Sequence, residues 1–137
     1  MTQPLETSVY DFIIIGWGKA GKTLAAAVAN TGKTVALVER SPGMYGGSCI
    51  NVACIPSKSL ARSARQADYF HFDSFADQSD FYSQAIAETS ALTSALNKKN
   101  FDKLDQHPNV TIYTGQGSFV SANEVQVETE NGAILLQ

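Results

Sequence analysis

Val9-Tyr-Asp-Phe-Ile-Ile-Ile-Gly16-Trp-Gly-Lys-Ala-Gly21-Lys-Thr-Leu-Ala-Ala-Ala-Val-Ala-Asn30 leads, after Thr31-Gly-Lys33, into Thr34-Val-Ala-Leu-Val-Glu39. Residues 9–15 form an apolar, β-branched run that stops at a glycine, which predicts a strand buried on both faces of a parallel sheet. Residues 20–30 are strong helix formers, and Asn30-Thr-Gly32 closes the helix. Residues 34–39 predict a second buried strand, with Arg40-Ser-Pro-Gly opening a loop. Strand, helix and strand in this order make one right-handed βαβ unit and an α/β fold class.

Two nucleotide motifs overlap at the first turn. Gly16-x-Gly18-x-x-Gly21, after a strand and before a helix, is a dinucleotide fingerprint. Gly16 makes the tight turn, Gly18 lets a pyrophosphate approach, and Gly21 lets the helix sit close to the strand. The same residues with Lys22 and Thr23 satisfy the phosphate-loop pattern G-x-x-x-x-G-K-[ST]. Glu39 favours the first reading. It ends the second strand 18 residues past Gly21, where a dinucleotide fold places a carboxylate for the ribose hydroxyls. A phosphate-loop enzyme needs a later apolar strand ending in a magnesium-binding Asp, and nothing after residue 60 has that form. Lys22 and Thr23 then read as ordinary residues of the first helical turns.

The second informative stretch is Gly46-Gly-Ser-Cys49-Ile-Asn-Val-Ala-Cys54-Ile-Pro-Ser-Lys58. Residues 49–67 read as helical, with a kink or restart at Pro56. Five residues of regular helix turn through about 500°, which would point the two cysteines apart. A disulfide between them therefore requires a distorted or widened first turn. A cysteine near a helix N-terminus has its thiolate favoured, which suits exchange chemistry. Structural zinc wants four ligands, and only these cysteines with His71 and His107 are on offer. Iron–sulfur clusters want more cysteines than the chain has. No metal ligand set is expected, and both histidines read as structural.

The remainder predicts a helix over 79–104, broken by His107-Pro-Asn109. Short alternating strands follow at 110–114, 118–120, 124–128 and 133–136, with Asn131-Gly132 as a hairpin turn. The aromatics between Tyr69 and Tyr82 predict a packing surface, part of it left exposed. The 137 residues carry a net charge of −3, which argues against nucleic acid as the main partner. Apolar residues at 44% and charged at 17% read as a soluble globular domain. The opening residues lack the pattern of a secretory leader, and the longest apolar run is too short to span a bilayer. A cytoplasmic protein without a membrane partner is expected.

The glycine motif, Glu39 and the cysteine box together resemble the class I pyridine nucleotide–disulfide oxidoreductases, the family of dihydrolipoamide dehydrogenase, glutathione reductase and mercuric reductase. Ile15-Gly-Trp-Gly-Lys-Ala-Gly-Lys-Thr-Leu-Ala25 and Met44-Tyr-Gly-Gly-Ser-Cys49 are most similar to its flavoproteins of reactive-chlorine resistance, a group associated with NAD(P)H-dependent copper(II) reduction. The resemblance implies an incomplete Rossmann-like FAD-binding domain with an added small antiparallel β meander. It implies FAD, with NAD(P)H as co-substrate of the full-length protein. Gly16, Gly18, Lys19, Ala20 and Gly21 would contact the FAD pyrophosphate, Glu39 and neighbouring Arg40 the adenosine side, and Gly117 the adenine. Gly47, Ser48 and Cys49 would line the pyrophosphate and ribityl side. Cys54 would be the thiol against the flavin and Cys49 the thiol that meets the acceptor, a disulfide or metal ion. Lys58 would sit near the flavin N5 edge. Ala53 stands where the family usually has glycine before the second cysteine. By the same resemblance, residues 1–137 would be the N-terminal part of the flavin domain, without its nicotinamide and dimerisation domains. The full-length protein would be a homodimer, and this chain a fragment without full activity.

Overall fold

The computed structural model describes residues 7–137; the N-terminal residues read for a leader pattern lie outside that range. Strand β1 is Thr7–Ser8 and β2 is Phe12–Ile15, followed by α1 (Lys19–Ala29) and β3 (Val35–Glu39). A short 3₁₀ turn, Pro42–Met44, leads to α2 (Ser48–Asn51), α3 (Cys54–Ala67) and α4 (Phe75–Asp105). Strands β4 (Val110–Thr114), β5 (Gln116–Phe119), β6 (Val125–Thr129) and β7 (Gly132–Leu136) complete the order.

The βαβ unit forms as its pattern requires. β2 and β3 pair in parallel from Phe12 opposite Val35 to Ile15 opposite Val38. β4 lies parallel on the other side of β3, with Val35 opposite Val110. The central strand explains the core. Val35 and Leu37 pack with Ile14, Trp17, Ala25, Ala29, Leu104 and Val110 on the helical face. Ala36 and Val38 face the other way, against Val125, Val127 and Leu136 of the meander. One strand with period-2 side chains thus feeds two cores.

Two expectations are corrected here. The apolar run 9–15 is not one strand buried on both faces. β1 pairs in parallel with β7, Thr7 opposite Leu135, and the chain then crosses to the other sheet before β2. β2 is an edge strand with Ile14 buried but Phe12 and Ile15 43% and 45% exposed. The strand at 110–114, read as one of several alternating strands, joins the parallel sheet. The antiparallel meander is β5, β6 and β7 alone, with β1 added at the end in the order β1-β7-β6-β5.

Asp11 secures the crossing. Its carboxylate accepts hydrogen bonds from the Thr34 N–H (2.8 Å), the Thr34 hydroxyl (3.0 Å) and Lys33 Nζ (3.0 Å). The Thr34 backbone donor, then Lys33, hold its pKa below the ordinary value. A depressed carboxyl contributes stability above its unfolded pKa and loses it as pH falls through the folded one. Asp11→Asn should therefore be less stable than wild type at neutral pH, and the gap in urea midpoints should close on acidification. A gap independent of pH would remove the charge from the explanation.

Helix α4 starts at Phe75 rather than at residue 79, because Ser74 caps it. The Ser74 hydroxyl accepts from the Asp77 N–H (3.1 Å) and donates to the Asp77 carboxylate (2.6 Å), a reciprocal cap. The expected aromatic surface is present. Phe70, Phe72 and Phe81 cluster, while Tyr69, Phe75 and Tyr82 stand exposed. Among the described residues no helix is long and apolar enough to cross a membrane.

Candidate functional site

The glycine turn is built as its sequence predicts. Gly16 has φ +101°, the left-handed region that favours glycine, and its N–H donates to the Val38 carbonyl at 2.8 Å. A Cβ on Gly21 would lie 2.1 Å from the Gly16 carbonyl oxygen, so helix and turn touch through backbone. At Gly18 a Cβ would meet nothing within 4 Å. Gly18 caps α1 without a side-chain hydrogen bond. The first-turn N–H groups, including those of Lys19, Ala20 and Gly21, therefore present an uncapped, positive helix end to open space.

Glu39 is held beside this turn. Its Oε2 accepts from the Trp17 N–H (3.0 Å) and its Oε1 from the Ser41 N–H (3.2 Å). About two of the four lone-pair sites of the carboxylate stay available. Glu39 also lines a groove of roughly 240 Å³ together with Ile15, Gly16, Val38, Arg40, Gly115, Gln116 and Gly117. A Cβ on Gly117 would come within 3.2 Å of the Val38 side chain. Gly117, far away in sequence, thus meets Glu39 and Arg40. Gly115 and Gln116 were missed by the sequence reading, although the doubled glycine in Thr114-Gly-Gln-Gly117 was their signal. A Cβ on Gly115 would lie 2.3 Å from the Glu128 carbonyl oxygen, so β4 and β6 pass closely there.

The cysteine turn is pressed onto the glycine turn. Gly47 has φ +81°, and a Cβ on it would lie 2.8 Å from Gly18 Cα and 3.1 Å from the Trp17 carbonyl oxygen. Only glycine allows this approach. Ser48 and Cys49 then open α2. The helix breaks at Val52 and Ala53, before Pro56, and α3 restarts at Cys54. Pro56 is the third residue of α3, where its missing N–H is one of the helix-end orphans and costs no bond. The widened turn required by the cysteine spacing is present. The Ala53 N–H donates to Ser48 O, five residues back, at 2.8 Å, and the Val52 N–H donates to the same oxygen at 2.9 Å.

Cys49 and Cys54 are free, exposed thiols joined by a side-chain hydrogen bond. That bond is the main cause that raises the Cys49 pKa; desolvation and the Cys54 charge add to it, while Lys58 and Lys22 oppose it. The expectation of a favoured thiolate is therefore corrected for Cys49 in the dithiol state. Lys58 is exposed, one helical turn beyond Cys54 on the same face of α3.

Lys22 is not free to cradle a triphosphate. Its Nζ donates to Asn100 Oδ1 (2.7 Å) and to the Gly46 carbonyl (3.3 Å). Trp17, an unspecified position in the glycine motif, is fully buried against Tyr45 and Phe101, at centroid distances of 4.8 and 6.1 Å. It plugs the space between the two turns and α4. His107 is structural: its Nδ1 accepts from the Asn109 N–H (3.2 Å), which leaves Nε2 to donate to Asn30 Oδ1 (3.1 Å). His71 is exposed near the aromatic cluster. Among the described residues no group of three or more His, Cys, Asp or Glu gathers as a metal site.

Residues 10–135 match the family described as pyridine nucleotide-disulphide oxidoreductase. The probable pyridine nucleotide-disulfide oxidoreductase RclA of Escherichia coli K12 is 40% identical over 123 residues, covering 90% of this chain and 25% of its own length. A mercuric reductase of Lysinibacillus sphaericus is 31% identical over 132 residues, 92% of this chain and 23% of its own length. The Cu(II) complex of the HOCl-induced flavoprotein disulfide reductase RclA from Escherichia coli superposes with a TM-score of 0.82 at 37% identity. It covers 95% of this chain and 27% of that one. The chain spans about a quarter of the length of these relatives. The family match and the superposition thus extend over nearly the whole chain, and the chain belongs to the pyridine nucleotide-disulphide oxidoreductases, FAD-dependent flavoenzymes that use NAD(P)H.

Proposed function

We infer that this chain is the flavin-binding, dithiol-bearing part of an NAD(P)H-dependent reductase that delivers electron pairs through Cys49 and Cys54 to a disulfide or metal-ion acceptor. The observation that carries this reading is the contact of the two glycine turns. Gly47, two residues before Cys49, packs against Gly18 at the start of α1, so a nucleotide diphosphate at α1 lies beside the thiols.

The residues present fit FAD. The uncapped start of α1 and the open space at Gly18 suit a pyrophosphate, held by the backbone of Gly16, Gly18, Lys19, Ala20 and Gly21. Glu39 offers its remaining lone pairs to ribose hydroxyls, and Arg40 and Gly117 flank the adenine end of the groove. Gly47, Ser48 and Cys49 continue the path toward the ribityl chain. When bound, FAD supplies a two-electron carrier between NAD(P)H and the protein sulfurs.

Cys54 faces the flavin side and Cys49 the acceptor. Closing the dithiol to a disulfide releases two electrons and two protons. One disulfide acceptor takes them to become two thiols, and two copper(II) ions take the electrons alone. Exchange proceeds by thiolate attack, so Cys49 must first surrender the proton that Cys54 helps it keep. Lys58 supplies positive charge beside the pair as negative charge develops. The Cu(II) bound to RclA and the likeness to a mercuric reductase favour a metal ion as the acceptor. On this reading the enzyme is a cytoplasmic homodimer acting on a small molecule or metal ion, with no nucleic-acid or membrane partner. The nicotinamide and dimer interfaces are supplied by residues other than these.

The deciding experiment is anaerobic reduction with dithiothreitol in the presence of FAD. A long-wavelength thiolate-to-flavin absorbance band should appear, and Cys54→Ser should abolish it. Flavin binding with no such band in wild type would sink the role of Cys54. Glu39→Gln should weaken FAD binding by roughly tenfold to a hundredfold, since a hydrogen bond to a charged acceptor contributes about 1.5–3 kcal/mol. Quenching of FAD fluorescence measures it, and an unchanged affinity would place the ribose elsewhere.

A further inference from the structure

Lys22 is left unused by dinucleotide binding, yet it is one of the most tightly placed lysines in the fold. Its ammonium bridges Asn100 of α4 and the carbonyl of Gly46, three residues before Cys49. Asn100 is itself fixed, its Nδ2 donating to Leu96 O at 2.8 Å. One turn earlier on α4, Asn97 donates to Asn51 Oδ1 (3.0 Å) and to Pro42 O (3.2 Å). Asn51 in turn donates to Tyr45 O (2.9 Å) and Gly47 O (3.0 Å). Two asparagines one turn apart therefore brace the cysteine-bearing loop against α4, and Lys22 alone brings a charge to that brace.

The charged groups acting on Cys49 are Cys54 and Lys58 of α3 and Lys22 of α1. Lys22 is half-buried. Desolvation and the nearby Lys19 and Lys103 lower its pKa, and Cys49 acts in the opposite sense. Cys49 and Lys22 thus favour each other's charged form.

We propose that Lys22 is a positioning residue for the dithiol, tying α1 to the Gly46 carbonyl and holding a fixed positive charge that stabilises the Cys49 thiolate. The lysine that imitates a phosphate-loop residue serves the sulfur chemistry instead. The inference rests on the exchange role given to Cys49 above.

The test is the pH dependence of Cys49 alkylation by iodoacetamide in the reduced chain, read for each cysteine by peptide mass spectrometry. Lys22→Met should move the Cys49 profile to higher pH and slow alkylation near neutrality by about threefold to tenfold. Lys22→Gln keeps a donor for Gly46 O but removes the charge, and carries the same expectation. Lys22→Arg should restore the wild-type profile. Lys99→Met, which removes an equal charge at an exposed site on α4, should leave it unmoved. A wild-type profile in Lys22→Met or Lys22→Gln would overturn the proposal, as would an equal shift in Lys99→Met. If either neutral variant loses its circular dichroism, the other and Lys22→Arg still decide. Failure of wild-type Cys49 and Cys54 to close a disulfide would instead sink the exchange role, and the alkylation profiles would still test Lys22.

Discussion

Gly21→Ala should lose about 3 kcal/mol of folding stability or more, at the upper end of what overpacking costs. The added Cβ would lie 2.1 Å from the Gly16 carbonyl oxygen and 3.3 Å from both Gly16 C and Ile14 Cγ2. The nearest atom is backbone, and it cannot turn aside as a flexible side chain can. Helix α1 would have to lift from the turn, opening the core where Ala25 and Ala29 pack beside Ile14, Trp17 and Leu37. Gly18→Ala is the matched contrast. Its Cβ meets nothing within 4 Å and its φ of −63° suits any residue. Stability should change by within about 0.5 kcal/mol, while FAD affinity falls because the methyl group fills the pyrophosphate approach. Urea denaturation and flavin titration separate the two. A Gly21→Ala chain as stable as wild type would mean that helix and turn do not touch as described.

Cys54→Ala should abolish the two-electron dithiol cycle. Mild oxidation of the wild-type chain should consume both thiols within one molecule, and the variant should keep Cys49 free. Acceptor reduction by the complete enzyme should fall to background, because no partner sulfur remains to take the second electron and release Cys49. The variant should also make Cys49 a stronger nucleophile near neutral pH. The Cys54 hydrogen bond is the main cause that raises the Cys49 pKa, so removing it lowers that pKa and speeds alkylation. This shift runs opposite to that expected of Lys22→Met. An unchanged Cys49 profile in Cys54→Ala would break the link between the thiols, and retained acceptor reduction would remove the pair from the mechanism.

The parts of the fold legible in the sequence are those written in local backbone preference. Gly16 and Gly47 have positive φ, and both stand at turns that read as turns. The continuous apolar run Val35–Val38 is a strand because burial on both faces demands one. The widened cysteine turn follows from a spacing that a regular helix cannot satisfy. Elsewhere local signals misled. Pro56 suggested the break, but a proline in the first turn of a helix removes no bond, and the chain parts at Val52 and Ala53 instead. The Ser74 and Asp77 pair was a readable cap, with Ser74 five residues before the expected helix start.

The amino-acid sequence by itself determined the βαβ unit, the glycine turn, Glu39 and the cysteine pair, because each depends on chemistry within a few residues. Tertiary structure decided which strand joins which sheet, since a short apolar run such as Val110–Thr114 carries no label for its partner. It also decided that only Phe12–Ile15 of the run 9–15 forms a strand, while Thr7–Ser8 before it joins the other sheet, that Trp17 is core, and that Gly117 returns to Glu39. Lys22 shows the distinction most clearly. Its motif suggests a phosphate ligand, but a motif specifies neighbours in sequence, and a side chain bonds whatever lies within reach. Here that is Asn100 and Gly46, brought together by the close packing of α1, α4 and two glycine turns.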